Sequence, residues 1–109
     1  MRPIPDQHYP IPVAINLLMF AVCSVLCFLL LCAASHTANI EVLILCGCLF
    51  AAVMIPVYSL IHEAEHTMLH PRPVWNAVLG RWLCALFVVS FNFITHCHLR
   101  HHNKNRTDV

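Results

Sequence analysis

The sequence predicts an all-α polytopic membrane protein, with two transmembrane helices and a third helix that is interfacial or re-entrant. Only 10% of its 109 residues are charged and 60% are hydrophobic, whereas a soluble domain carries about 25% charge. Two apolar runs are each long enough to cross a bilayer, and a third run is interrupted by polar residues. The net charge of +1 carries no argument about nucleic acid, and no basic arm suggests a nucleic-acid partner.

The two spans follow a proline-rich start. Residues 1–12 contain four prolines, and we expect an extended tail because proline denies a helix its backbone donors. Residues 13–34 form an apolar run of about 22 residues, and residues 42–61 form a second run of about 20. About 20 apolar residues suffice to span the hydrocarbon core. The short polar loop between the runs should return the chain to its starting side of the membrane.

The basic residues predict the orientation of these spans. All six lie in the tail or after the second run, and the loop between the runs has none: Arg2, Arg72, Arg81, Arg100, Lys104 and Arg106. Cytoplasmic segments carry the excess of Lys and Arg. We therefore expect an integral membrane protein whose N-terminus and histidine clusters face the cytoplasm.

Residues 74–95 form the third apolar run, which we interpret as an interfacial helix rather than a span. If it crossed the bilayer, His66 and His98 would lie on opposite faces, about 30 Å apart, and could not share a metal. The alternative is a re-entrant pair broken near Gly80. Three polar residues interrupt the run: Asn76, Arg81 and Asn92. Its two tryptophans, Trp75 and Trp82, suit the depth of the lipid headgroups.

Most of the nine histidines fall in two clusters. His62 and His66 are four residues apart, so both imidazoles project from one helical face. In the second cluster, His98 is three and four residues from His101 and His102, and adjacent positions point about 100° apart. Imidazole is a good ligand for iron, zinc and copper. These five nitrogens exceed one tetrahedral zinc site, which favours two metal ions, although five are too few to fill such a centre.

Four neighbouring residues are further candidates for the site. Glu63 and Glu65 lie next to the first pair. A carboxylate there can accept a hydrogen bond from the second ring N–H of a ligating histidine. The alternative is that each is a solvated charge at a helix end. His70 is eight residues past His62, about 12 Å along a helix, and could share a metal only across a bend. His96 is a candidate ligand or a bystander.

The two clusters and their order resemble the membrane fatty acid desaturase superfamily. Its hallmark is three histidine boxes: His-x3–4-His, His-x2–3-His-His and a later His-x2-His-His. Residues 61–70 match the first box and residues 98–102 the second, with Leu79-Gly80-Arg81 between them, and the similarity covers most of the chain after about residue 40. The resemblance implies that the ligands are His62, His66, His98, His101 and His102.

The resemblance also implies the chemistry. It predicts a centre of two non-haem iron ions that activates O2 and removes hydrogen from a fatty acyl or other lipid chain. Electrons would come from a ferredoxin or a cytochrome partner. The third box does not occur before Val109, so we expect residues 13–109 to be the N-terminal part of a desaturase domain. Residue 70 is apolar or aromatic in many members, which makes His70 a weaker candidate.

Two other functions remain open. His62-Glu63-Ala64-Glu65-His66 also satisfies His-Glu-x-x-His, in which Glu63 would be the general base of a zinc metalloprotease. That reading leaves the second cluster unexplained. A third interpretation is an inactive membrane fragment that binds one metal loosely or none.

Overall fold

Four helices make up the computed structural model, which describes residues 10–107. They are α1 (Val13–Ser35), α2 (Ile40–Glu65), α3 (Pro73–Leu86) and α4 (Phe91–Thr107). The all-α class is confirmed. Most of the proline-rich tail lies outside the described residues.

Helices α1 and α2 are the two predicted spans, and both are long and apolar enough to cross a membrane. At 1.5 Å per residue, their 23 and 26 residues correspond to about 35 and 39 Å, more than the hydrocarbon core of about 30 Å. Large apolar side chains cover their outer surfaces, including Phe28 at 66% exposure and Ile55 at 71%. Such side chains are suited to lipid, since lipid removes the cost of their exposure.

The third apolar run is not one helix, and it does not break at Gly80. Helix α3 ends at Leu86 and α4 begins at Phe91, with an angle of 102° between them. Gly80 stays inside α3, where the ring of Phe91 and the methyl group of Ala64 pack against its backbone. The glycine therefore permits a close approach between helices rather than a break. The bent pair packs against α2.

The break after α3 is made by Val88, which has a φ of 56°. The N–H of Val88 donates to the carbonyl of Ala85, and the N–H of Val89 donates to that of Cys84. This pair of bonds is the Schellman motif, whose left-handed position is usually glycine. The end of α2 repeats the motif with Thr67, at φ 58°. Two β-branched residues, Thr67 and Val88, thus take the left-handed position at the ends of α2 and α3.

Two buried asparagines fix the connection between α2 and α3. Asn16, near the start of α1, donates to the carbonyls of Met68 and Leu69 at 3.2 and 3.0 Å. Asn76 of α3 accepts from the backbone N–H of Leu69 and His70 and donates to the carbonyl of Ala64. The first pair of bonds places the start of α1 beside the end of α2, so the two helices are antiparallel.

Asn76→Leu is expected to lower the free energy of unfolding by about 2–4 kcal/mol. The substitution leaves one buried and one partly buried backbone N–H group without an acceptor, and a buried group costs about 1–3 kcal/mol. Thermal unfolding in detergent, followed by circular dichroism, measures the change. Asn92→Leu is the matched control, because Asn92 is exposed and such positions usually change stability by less than about 0.5 kcal/mol. Equal effects of the two substitutions would contradict the role of Asn76.

Candidate metal centre

The end of α2 brings the first two histidines together. His62 lies in its last turn, and His66 is the C-cap residue whose N–H donates to the carbonyl of His62 at 3.2 Å. Their ring centroids are 4.7 Å apart, as expected for positions one turn apart. The chain turns away from the helix axis at Thr67, so the two histidines are the last ones on α2.

Helix α4 adds His98 to this pair. Its ring centroid lies 4.8 Å from those of both His62 and His66, and its Nε2 is 2.9 Å from Nε2 of His66. The contact joins residues 32 positions apart. The two clusters that the sequence separates therefore meet at one place, next to the same end of α2.

His102 extends the group by one turn of α4. Its Nε2 lies 3.0 Å from Nε2 of His98, and its ring centroid is 5.3 Å from that of His66. His98 thus has an imidazole nitrogen close by on two sides. We refer to His62, His66, His98 and His102 as the histidine cluster.

The spacing of these nitrogens fits a metal ion. One ligand atom from each of His62, His66 and His98 can be chosen so that all lie within 4.8 Å of one another. Metal–nitrogen bonds are about 2.0–2.1 Å long, so neighbouring ligands of one ion are about 3.0–3.5 Å apart. The Nε2 separations of 2.9 and 3.0 Å lie near that range. The limit of 4.8 Å for the three-histidine group is wider than this range, so the rings must approach one another by up to about 1.3 Å to share an ion.

Glu65 holds the other side of the His98 ring. Its side chain is 5% exposed, and Oε2 lies 3.5 Å from Nδ1 of His98. At this separation a carboxylate attracts an N–H, although the distance is long for a strong hydrogen bond. A proton kept on Nδ1 leaves Nε2 with a free lone pair. Nε2 is the nitrogen that faces the other histidines, so Glu65 favours the tautomer that a metal ligand requires.

Glu65→Gln is expected to weaken iron binding by about tenfold, the lower end of the 10–100-fold range for removing a hydrogen-bond partner of a metal ligand. The amide keeps the size of the side chain but removes the charge that attracts the Nδ1 proton. Titration of the purified protein with ferrous iron gives the affinity. Glu63→Gln is the control, since Glu63 is exposed. If both variants bind iron as tightly as the parent, Glu65 does not orient His98.

The surroundings of His66 keep it neutral. Burial is the largest influence that lowers the pKa of this imidazole, and the nearby His62, His98 and His102 lower it further, while Glu65 acts in the opposite direction. Only the neutral ring can donate its lone pair to a metal. The electrostatics of the cluster therefore favour metal binding, as its geometry does.

The other candidate residues lie at or beyond the edge of the cluster. His101 is exposed, with its ring centroid 6.3 Å from that of His102. The side chains of Glu63 and His96 are exposed and have no hydrogen bond or ion pair with the cluster among the described residues. His70 lies past the turn, where its Nδ1 accepts the backbone N–H of Arg72 at 3.0 Å.

The asparagines that position this end of α2 were not among the predicted site residues. Asn16 and Asn76 are 8% and 3% exposed, and they bond to the segment that follows His66. The signal that could have identified Asn16 is its place in an otherwise apolar span, because polar groups within a membrane are costly and commonly functional.

No protein-family model matches the chain, and neither a curated protein nor a solved structure matches it significantly.

Proposed function

We propose that this chain carries the metal-binding histidines of a membrane oxidoreductase of the desaturase type, which removes hydrogen from a lipid acyl chain in an O2-dependent reaction. The observation that carries the proposal is the meeting of His98 with His62 and His66 across 32 residues of sequence. A cluster built from two separate helices, at the end of an apolar helix of spanning length, suits a metal centre that acts on membrane lipid.

The cluster supplies nitrogen ligands for iron. His62, His66 and His98 would hold an ion, with His102 adjacent, and iron held there would supply the activation of O2 for attack on an unactivated carbon. Glu65 keeps the proton on Nδ1 of His98. The surrounding apolar helices give a lipid chain access from the bilayer, and a ferredoxin or cytochrome partner would deliver the electrons.

A pair of iron ions would need more ligands than the cluster provides. The nitrogens of His62, His66 and His98 suit one ion, with His102 adjacent to His98, and His101 would be a further ligand on the adjacent face of α4. The further ligands that the desaturase resemblance implies belong to a later His-x2-His-His set. We therefore propose the cluster as one part of a di-iron centre.

A zinc metalloprotease is the second candidate, because three histidines on one zinc leave an open position for water. Two observations make it the weaker choice. The carboxylate of Glu63, the required general base, is exposed and has no hydrogen bond or ion pair with the cluster among the described residues. The fourth nitrogen, from His102, lies 3.0 Å from that of His98, where it would compete with the water.

The test begins with the metal content of the full chain. We expect ferrous iron, supplied anaerobically to the chain in lipid nanodiscs, to bind with a stoichiometry of at least one ion per chain by elemental analysis. With iron, O2 and a chemical reductant, an isotope-labelled acyl lipid should yield an iron-dependent oxidised product detectable by mass spectrometry.

Other outcomes discriminate between the candidates. Tight binding of zinc but not iron, with peptide cleavage that Glu63→Gln abolishes, would replace the oxidoreductase by the protease. No firmly bound metal of either kind would identify the chain as an inactive fragment. Iron that binds firmly but gives no lipid product would support the metal centre and show that this chain alone does not carry out the proposed reaction.

A further inference from the structure

A cavity of about 480 Å³ lies beside the α2–α3 connection. Leu17 of α1, His70 and Arg72 of the connection, and Trp75 and Leu79 of α3 line it. None of these residues belongs to the cluster. The cavity combines basic, hydrogen-bonding residues with apolar walls.

Arg72 and His70 give the cavity its polar end. The backbone N–H of Arg72 donates to Nδ1 of His70 at 3.0 Å, so the neutral ring carries its proton on Nε2 and can donate it. Arg72 forms no ion pair among the described residues. Its guanidinium group can therefore offer its planar set of N–H donors to a phosphate or carboxylate.

The start of α3 adds to this positive character. Arg72 is the N-cap residue of α3, and no side chain caps that end of the helix. The partial positive charge of a helix N-terminus favours an anion. The charge of Arg72 and the partial charge of the helix end therefore have the same sign, and the N–H of His70 is a further donor to an anion.

The cavity lies at the depth of lipid headgroups. Asn16 and Leu17 are in the first turns of the spanning helix α1, and Asn16 bonds to the connection at Met68 and Leu69. The connection therefore lies where a span meets the membrane surface. Trp75 is 51% exposed, and tryptophan is enriched at that depth. The apolar walls of the cavity are formed by Leu17 of α1 and Leu79 of α3.

We propose that this cavity binds an anionic membrane phospholipid, with its phosphate on Arg72 and His70 and its acyl portion along Leu17, Trp75 and Leu79. Basic pockets between membrane helices bind anionic headgroups in this way. A phospholipid suits the open cavity better than free phosphate, because phosphate would leave the apolar walls uncovered. The assignment uses none of the residues of the histidine cluster and stands apart from the proposed function.

The two tryptophans of the chain allow a direct test by fluorescence quenching. Trp82→Phe leaves Trp75 as the one tryptophan and removes only the hydrogen bond of Trp82 to Ser24. The full-length variant is placed in phosphatidylcholine vesicles that contain either brominated phosphatidylglycerol or brominated phosphatidylcholine. We expect phosphatidylglycerol to quench Trp75 at about fivefold lower mole fraction, the effect of one basic side chain near an anionic lipid.

Matched variants distinguish lipid binding in the cavity from a general attraction of basic side chains to anionic lipid. Arg72→Gln should abolish the preference, and Arg72→Lys should retain part of it, since lysine keeps the charge without the planar donors. Arg81→Gln, two turns along α3, removes the same charge outside the cavity and should keep the preference. Trp75→Phe, which reports from Trp82 instead, should show equal quenching by both lipids.

Several results would overturn the proposal. Equal quenching of Trp75 by the two lipids would exclude selective binding, as would a preference that survives Arg72→Gln in a variant with parental helicity. Loss of the preference on adding millimolar inorganic phosphate at constant ionic strength would assign the cavity to free phosphate. Stronger quenching by a brominated fatty acid than by phosphatidylglycerol would assign it to a carboxylate.

Discussion

Replacing His98 by alanine is expected to lower the affinity of the chain for iron by more than 100-fold. Loss of a hydrogen-bond partner of a ligand already costs about 10–100-fold, and His98 is itself a proposed ligand. It is also the residue that contacts both His66 and His102 through Nε2. Removing it therefore separates the nitrogens of α2 from those of α4.

Titration with ferrous iron and elemental analysis after gel filtration measure this loss. His96→Ala is the matched control, because His96 lies on the same helix and is exposed. Circular dichroism establishes that both variants retain parental helicity. A His98→Ala protein that binds iron like the His96→Ala protein would show that the histidines of α2 and α4 do not share an ion.

His62→Ala and His66→Ala should resemble His98→Ala, and His101→Ala should have a smaller effect. The reason is position: the first two contribute to the three-histidine group, whereas the ring of His101 lies 6.3 Å from that of His102 at the edge of the cluster. The sequence pattern treats His101 as equal to His98, and only the helical phase of α4 distinguishes them.

The sequence predicts the spans well because their signal is a local one. Hydropathy over residues 13–34 and 42–61 requires only that each segment be long and apolar, and the helices Val13–Ser35 and Ile40–Glu65 are longer by a few residues. The four-residue spacing of His62 and His66 likewise gives their common face. These inferences depend on helix geometry alone.

The position of the break after α3 could not be predicted in the same way. Glycine is the usual left-handed residue at a helix end, and the two glycines of the chain, Gly47 and Gly80, both lie inside helices. The helix ends use Thr67 and Val88 instead, for which such a conformation is unfavourable. Packing of the bent pair against α2 must outweigh that cost, and packing is not visible in a local pattern.

The meeting of the two clusters was inferred from chemistry and not from the fold. A shared metal required His66 and His98 to lie close together, and their ring centroids are 4.8 Å apart, with a bend of 102° between α3 and α4. The roles of Asn16 and Asn76 depend on contacts 52 and 12 residues away. No periodicity in the sequence reports such contacts.

The close packing at Gly80 leads to the second large effect: Gly80→Leu is expected to weaken iron binding at least tenfold and to lower the free energy of unfolding by about 1–3 kcal/mol. A Cβ atom at this position would lie 2.7 Å from Cε2 of Phe91 and 3.1 Å from Cβ of Ala64. The first distance is too short for two carbon atoms and the second is tight, so the Phe91 ring must turn even for a methyl group. The larger leucine side chain is expected to move α3 away from α2 or to shift the start of α4.

A shift at the start of α4 reaches the histidine cluster. His98 lies seven residues after Phe91, about two turns or 10 Å along the helix, and its ring must remain 4.8 Å from those of His62 and His66. Ligand geometry tolerates displacements of only a few tenths of an ångström. Iron affinity should therefore fall even where the helices themselves remain folded.

Gly47→Leu is the matched control, because a Cβ atom at Gly47 would meet nothing within 4 Å. Both substitutions replace a helical glycine by a better helix former, so a difference between them reports packing rather than propensity. Helicity, thermal unfolding and iron affinity are measured for both proteins in the same nanodiscs. Parental iron affinity in Gly80→Leu would mean that contact between α3 and α4 does not hold His98 in place, and that the cluster is positioned by the contact of α4 with α2 alone.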